Sequence, residues 1–137
     1  MNFNDKKFFR LAAILGALTV AIGAFGAHGL KPLLSAYQLE IFEKGVQYQF
    51  IHVLALLATA IQLQNSPDNV WFRRAAWLFF AGIIAFSGSL YLLACRDMIA
   101  IPVGWVGPVT PLGGVCFIAG WMALFAGAKQ EVNHTKS

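Results

Sequence analysis

Residues 75–95 read AAWLFFAGIIAFSGSLYLLAC and contain no charged side chain. A helix needs about 20 predominantly apolar residues to cross the hydrocarbon core of a bilayer, so this stretch is long enough to span a membrane once. Three further stretches of the 137-residue chain also lack charged side chains: 11–30, 45–67 and 98–128. The sequence therefore predicts four membrane-spanning helices.

The composition agrees with an integral membrane protein. Hydrophobic residues make up 58% of the chain and charged residues 12%, whereas soluble domains average roughly 45–50% and about 25%. This balance excludes a secreted mini-protein, a nucleic-acid-binding protein and a soluble enzyme. We predict an all-α membrane protein, residues 1–137 forming one integral domain, with four transmembrane helices in a bundle. The predicted helices lie near 8–27, 45–63, 75–94 and 112–128, and a polar tail follows at 129–137.

The distribution of basic residues predicts the orientation. Positive charge is concentrated in cytoplasmic loops of membrane proteins. Seven basic residues lie at the two termini and in the loop between the second and third spans, namely Lys6, Lys7, Arg10, Arg73, Arg74, Lys129 and Lys136. The opposite loops hold three, Lys31, Lys44 and Arg96. We therefore predict that both termini are cytoplasmic. The positive net charge is explained by this orientation and does not require a nucleic-acid partner.

The N-terminal segment has a second interpretation, a cleavable signal peptide. Lys6, Lys7 and Arg10 precede an apolar run that ends in small residues, which is the pattern of such a peptide. The run is long for a signal peptide, however, and Phe25 and His28 crowd the zone where cleavage would fall. A retained helix is the favoured interpretation.

The two outer loops differ in character. Ser35 followed by Gln38 is a capping-box pattern, which predicts that a helix begins at Ala36. We predict a short amphipathic helix at 36–44, lying at the outer interface or running straight into the second span. The other outer loop contains three prolines and two glycines around Trp105. It is interpreted as an interfacial loop, with a re-entrant segment as the alternative.

Small residues recur at helical spacing in the spans. They let helix backbones approach closely in a bilayer, where no hydrophobic force drives helices together. The glycines predicted to serve this packing are Gly16, Gly23, Gly26, Gly82, Gly88, Gly113 and Gly120.

Polar side chains share one face of the second span. Tyr48, Gln49 and His52 follow helical spacing there, and polar groups inside a membrane are costly unless they find a partner or a cavity. His28 ends the first span on the same outer side. One interpretation is a polar pocket in the outer leaflet centred on His52; the other is hydrogen bonding between helices that fixes their register.

The sequence contains no motif for catalysis or for covalent attachment of a haem. His28 and His52 could together hold a haem or a metal, but no haem-attachment motif accompanies them. No acidic or basic side chain falls within the core of any span, and Cys95 and Cys116 form no motif. We therefore predict no cofactor, no metal and no enzymatic activity.

Several motifs together resemble a known family. They are GAFGAHGL at 23–30, Tyr48-Gln49 followed by His52, FSGSLY at 86–91 and TPLGG at 110–114 with Gly120-Trp121. The chain resembles the small bacterial inner-membrane proteins of unknown function typified by the YgdD-like proteins, the domain of unknown function four-two-three family. The resemblance covers about residues 8–128 and implies a four-helix, multi-pass protein of the bacterial plasma (inner) membrane, with no assigned ligand or catalytic residue. Its motifs add Tyr91 and Thr110 to the predicted outer pocket.

Three functions follow as hypotheses. The first is a non-enzymatic component that binds or transports a small molecule or lipid through the outer pocket. The lipid bilayer surrounds it, and transport would require a homo-oligomer. The second is an assembly or stability factor, a subunit of a larger membrane complex that docks through its glycine faces. A membrane haem or metal protein is a third.

Overall fold

Four helices long and apolar enough to cross a membrane make up the structure, as the sequence predicts. The computed structural model describes residues 6–100 and 102–135, the last three by backbone alone. The four spans are Lys7–Leu30, Ala36–Asn65, Val70–Ala94 and Gly104–Val132. A helix satisfies every backbone N–H and C=O within its own segment, which is why apolar stretches of this length fold in this way in lipid.

The spans contain five α-helices and two π-helical turns. The α-helices are α1 (Lys7–Phe25), α2 (Ala36–Asn65), α3 (Val70–Gly82), α4 (Gly88–Ala94) and α5 (Val109–Thr135). One π turn, Gly26–Leu30, ends the first span, and the other, Ile83–Ser87, joins α3 to α4. A short 3₁₀ turn, Gly104–Val106, precedes α5. π-helical turns occur frequently at functional sites.

Two side-chain caps explain where helices begin. The Ser35 hydroxyl accepts from the Gln38 amide and the Gln38 side chain accepts from the Ser35 amide, so the predicted capping box is present. α2 then runs without interruption to Asn65, and residues 36–44 are its first turns rather than a separate helix. Asn69 caps α3 by accepting from the amides of Trp71 and Phe72. The third span therefore begins at residue 70, five residues before its predicted start.

The fourth span also exceeds its predicted limits. α5 begins at Val109 and continues through Thr135, so residues 129–135 of the predicted polar tail are helical and the last two residues lie outside the described part. Asn69 helps to hold this end, because its side-chain amide donates to the Gly127 carbonyl and to the Glu131 carboxylate.

The helices pack side by side around α2 and α3. α2 packs against α1, α3 and α4, whereas α5 packs mainly against α3 and the π turn Ile83–Ser87. Aromatic side chains fill the space between helices, including the fully buried Phe72 and Phe79. Large apolar side chains on α1 and α5 point outward, as expected for surfaces that face lipid.

Six of the seven predicted packing glycines have close neighbours on another helix or turn. An added Cβ at Gly26 would lie 2.5 Å from the Phe42 ring, and one at Gly120 would lie 2.8 Å from the Phe79 ring. Gly88 differs, because an added Cβ there meets nothing within 4 Å. The other four with close neighbours are Gly16 and Gly23 against α2, Gly82 against Phe117 and Gly113 against Phe86.

Candidate functional site

His52 lies inside the protein, where neighbouring side chains surround its ring. Its side chain is 5% exposed and stacks on the Phe117 ring with 3.5 Å between ring centroids and 9° between planes. Nδ1 lies 2.7 Å from the Tyr48 carbonyl oxygen, and the Trp121 indole N–H donates to Nε2 at 3.2 Å. A carbonyl only accepts and an indole N–H only donates. His52 is therefore the neutral tautomer protonated at Nδ1, and both ring nitrogens are engaged.

Gln49 joins three helices through its side-chain amide. Its nitrogen donates to the Thr19 hydroxyl at 2.8 Å, and its oxygen accepts from the Tyr91 hydroxyl at 2.7 Å. Thr19 in turn donates to the Leu15 carbonyl at 2.6 Å. This chain runs from α4 through α2 to α1, and Gln49 is only 4% exposed.

The remaining predicted site residues lie in different surroundings. Tyr48 packs its ring on Phe86 with 4.6 Å between centroids and stays partly exposed. Thr110 shares a 2.6 Å hydrogen bond with Ser89 and forms none with Gln49 or His52. The structure thus brings Tyr48, Gln49, His52 and Tyr91 together and leaves Thr110 in a separate pair.

His28 is not part of this group. Its side chain is exposed in the π turn that ends the first span. Gly26 packs against Phe42, which precedes His52 by ten residues on α2, and His28 lies two residues beyond Gly26 toward the turn between the helices. The two histidines are therefore separated by about 18 Å along the helix axis. They do not form the two-imidazole site considered from the sequence. Among the described residues, no group of three or more histidine, cysteine or acidic side chains could hold a metal ion.

Every buried side-chain nitrogen and oxygen in the described part of the chain has a hydrogen-bond partner. The polar face of α2 is therefore satisfied by protein groups. Ser87 contributes by donating to the Gly45 carbonyl at 2.7 Å. Sequence reasoning did not assign Ser87, Thr19 or Trp121 to the polar site, because their partners lie on other spans.

The two cysteines are free. Burial raises the pKa of the Cys95 thiol, which lowers the fraction of the nucleophilic thiolate at neutral pH.

A lateral groove opens between α1 and α2 beside the Gln49 chain. Its volume is about 570 Å³. Thr19 belongs both to the groove wall and to the hydrogen-bond chain. The wall is otherwise apolar except for Glu43 and Gln47, which lie toward the end of the bundle where α2 begins. The lining residues are Thr19, Val20, Gly23, Ala24, Gly26, Ala27, Phe42, Glu43, Val46, Gln47 and Phe50.

These features define a small polytopic membrane protein whose buried polar side chains tie its helices together. The family model described as "Protein of unknown function (DUF423)" matches residues 22–114. The chain belongs to this family. It is 40% identical to the UPF0382 inner membrane protein YgdD of Escherichia coli over 117 residues, which is 85% of each chain.

Two other relatives have the same or a higher sequence identity to this chain. The UPF0382 membrane protein YwdK of Bacillus subtilis is 40% identical over 90% of this chain and 96% of its own length. A UPF0382 membrane protein of Staphylococcus saprophyticus is 46% identical over 89% of this chain and 96% of its own length. No solved structure matches the chain.

Proposed function

We propose that this protein is a non-enzymatic membrane component that binds the alkyl chain of an amphiphile in the groove between α1 and α2. The groove itself is the observation that carries the proposal. Its volume of about 570 Å³ lies within the range of roughly 300–1,000 Å³ typical of small-molecule sites.

The shape and lining of the groove fit an alkyl chain. Its lining runs from Thr19 to Ala27 on the first span and from Phe42 to Phe50 on α2, which corresponds to about 12 Å along each helix. The long walls are apolar, and the charged Glu43 lies near one end. A molecule with an apolar chain and a polar head matches this arrangement.

The hydrogen-bond chain through Gln49 supports the groove at Thr19, whereas Gln49 itself is not among the lining residues. Gln49 holds Thr19 and thereby fixes the spacing of α1 and α2, which are the two walls. The polar face of α2 therefore has a positioning role, and the ligand binds in the neighbouring groove.

The alternative role, an assembly or stability factor, was based on glycine faces as docking surfaces. Most of those glycines pack against phenylalanine or valine side chains of this same chain. They are consequently not free to dock a partner, and the groove supports amphiphile binding better.

The proposal is tested by filling the groove. Ala24 lines it and is exposed, so Ala24→Phe should occupy the space without disturbing a buried contact. Ala17 is also exposed on α1 but does not line the groove, and Ala17→Phe is the matched control. We expect purified protein to bind radiolabelled dodecanol in a scintillation proximity assay, and Ala24→Phe to lose that binding. Equal binding by both variants would contradict the proposal.

We also propose that both termini are cytoplasmic, which places the groove in the outer half of the membrane. The support is the concentration of Lys6, Lys7, Arg10, Arg73, Arg74 and Lys129 at one end of the bundle. Alkaline phosphatase fused to either terminus should be inactive, and a green fluorescent protein fused there should fluoresce. Active alkaline phosphatase at either terminus would refute this orientation.

A further inference from the structure

Glu43 is the one charged side chain among the described residues that line the groove. Within the described part of the chain its carboxylate takes part in no ion pair. Neither Glu40, one turn earlier, nor the adjacent Lys44 belongs to the groove lining. An amphiphile in the groove therefore places its head beside an unpaired negative charge.

The apolar walls alone cannot select one amphiphile from another. Lipid tails are about as apolar as leucine side chains, so contact with the apolar walls does not distinguish one alkyl chain from another. Selectivity has to come from the head group and the polar side chains beside it.

We propose that Glu43 makes the groove selective for long-chain amines, in which a protonated amine is joined directly to a linear alkyl chain. This inference rests on the proposed function and names its ligand class. An ammonium group has three donors and no acceptor. The Glu43 carboxylate and the amide oxygen of Gln47, one turn further along α2, supply acceptors, and neither side chain forms a hydrogen bond with another described residue.

Amine-bearing phospholipids fit this end of the groove less well. In such a lipid a phosphate lies between the amine and the acyl chains, and the phosphate would lie near the Glu43 carboxylate. Like charges at short distance repel each other. A single-chain amine brings only positive charge to the site, which is why it is the ligand class that the charge distribution favours.

The experiment compares dodecylamine with dodecanol, which has the same chain and no charge. Radiolabelled probes are measured by scintillation proximity with wild-type protein, Glu43→Gln and the control Glu40→Gln, at one detergent concentration. We expect wild type to bind dodecylamine about fivefold more tightly than dodecanol. Glu43→Gln should abolish this preference and leave dodecanol binding unchanged, whereas Glu40→Gln should keep it. The preference should shrink at high salt because ions screen exposed charges.

Three results would overturn the inference: equal binding of the two probes to wild type, equal loss of preference in both glutamine variants, or competition by lysophosphatidylethanolamine as strong as that by dodecylamine. In each case dodecanol binding that Ala24→Phe removes would still uphold the proposed function. If wild type does not bind dodecanol, or if Ala24→Phe leaves that binding intact, the proposed function itself fails.

Discussion

Replacing Gly113 with alanine is expected to push α5 away from the third span. An added Cβ would lie 2.7 Å from the Cβ of Phe86 and 2.8 Å from its Cα, and it would also clash with the Phe86 amide nitrogen. Carbon atoms pack at about 3.5–4.0 Å, so the helices would have to separate by roughly 1 Å. None of these Phe86 atoms can rotate away. Overpacking of this kind costs about 1–3 kcal/mol, or roughly a 5- to 150-fold increase in the unfolding equilibrium constant.

The assay is equilibrium unfolding in mixed micelles of mild detergent and dodecyl sulfate, followed by tryptophan fluorescence. Gly88→Ala is the matched control, since its Cβ meets nothing within 4 Å. Gly114→Ala is a second control, because its nearest contacts with the Phe86 ring are at 3.9 Å. Only Gly113→Ala should shift the midpoint substantially toward lower denaturant. A wild-type midpoint for Gly113→Ala, or an equal loss in Gly88→Ala, would refute the packing between α5 and the third span.

Three further substitutions test the polar contacts by the same unfolding assay. Gln49→Leu removes two interhelical hydrogen bonds, which average about 0.6 kcal/mol each in membrane proteins, and should lower the free energy of unfolding by about 1 kcal/mol. An unchanged free energy of unfolding would mean that the bonds are not formed. Trp121→Phe removes the donor to His52 and should lower the free energy of unfolding by about 0.5–1.5 kcal/mol. Added haemin should show the same Soret band with wild type and with this variant as in protein-free micelles. Asn69→Ala should lower the free energy of unfolding by about 1 kcal/mol through the lost helix cap alone. Asn69→Ser keeps a capping oxygen but loses the bond to Glu131, so its free energy of unfolding should lie between those of Asn69→Ala and wild type.

Local sequence signals predicted one helix start well and missed others. The start of α2 at Ala36 follows from the capping box of Ser35 and Gln38, which needs only four consecutive residues. Hydropathy placed the third span too late, because Arg73 and Arg74 end the apolar stretch although the helix continues to its Asn69 cap. The π turns depend on packing between spans, and no local pattern indicated them.

The candidate site was predictable only in part. The shared face of Gln49 and His52 follows from helical spacing, but their partners Thr19 and Trp121 lie on other spans, and periodicity within one helix cannot identify them. The separation of the two histidines follows from antiparallel packing. Residues meet only when they are similarly distant from the turn between α1 and α2, as Gly26 and Phe42 are, and His52 lies much further from that turn than His28.

The most direct test of amphiphile binding between α1 and α2 is to map where an alkyl chain lies. Protein reconstituted in liposomes is irradiated with a dodecylamine that carries a diazirine on its chain, and labelled peptides are identified by mass spectrometry. We expect labels to concentrate in residues 19–27 and 42–50 and to decrease when unlabelled dodecylamine is added. Labels spread evenly over the lipid-facing surfaces of α3 and α5, with no effect of the competitor, would contradict a binding groove.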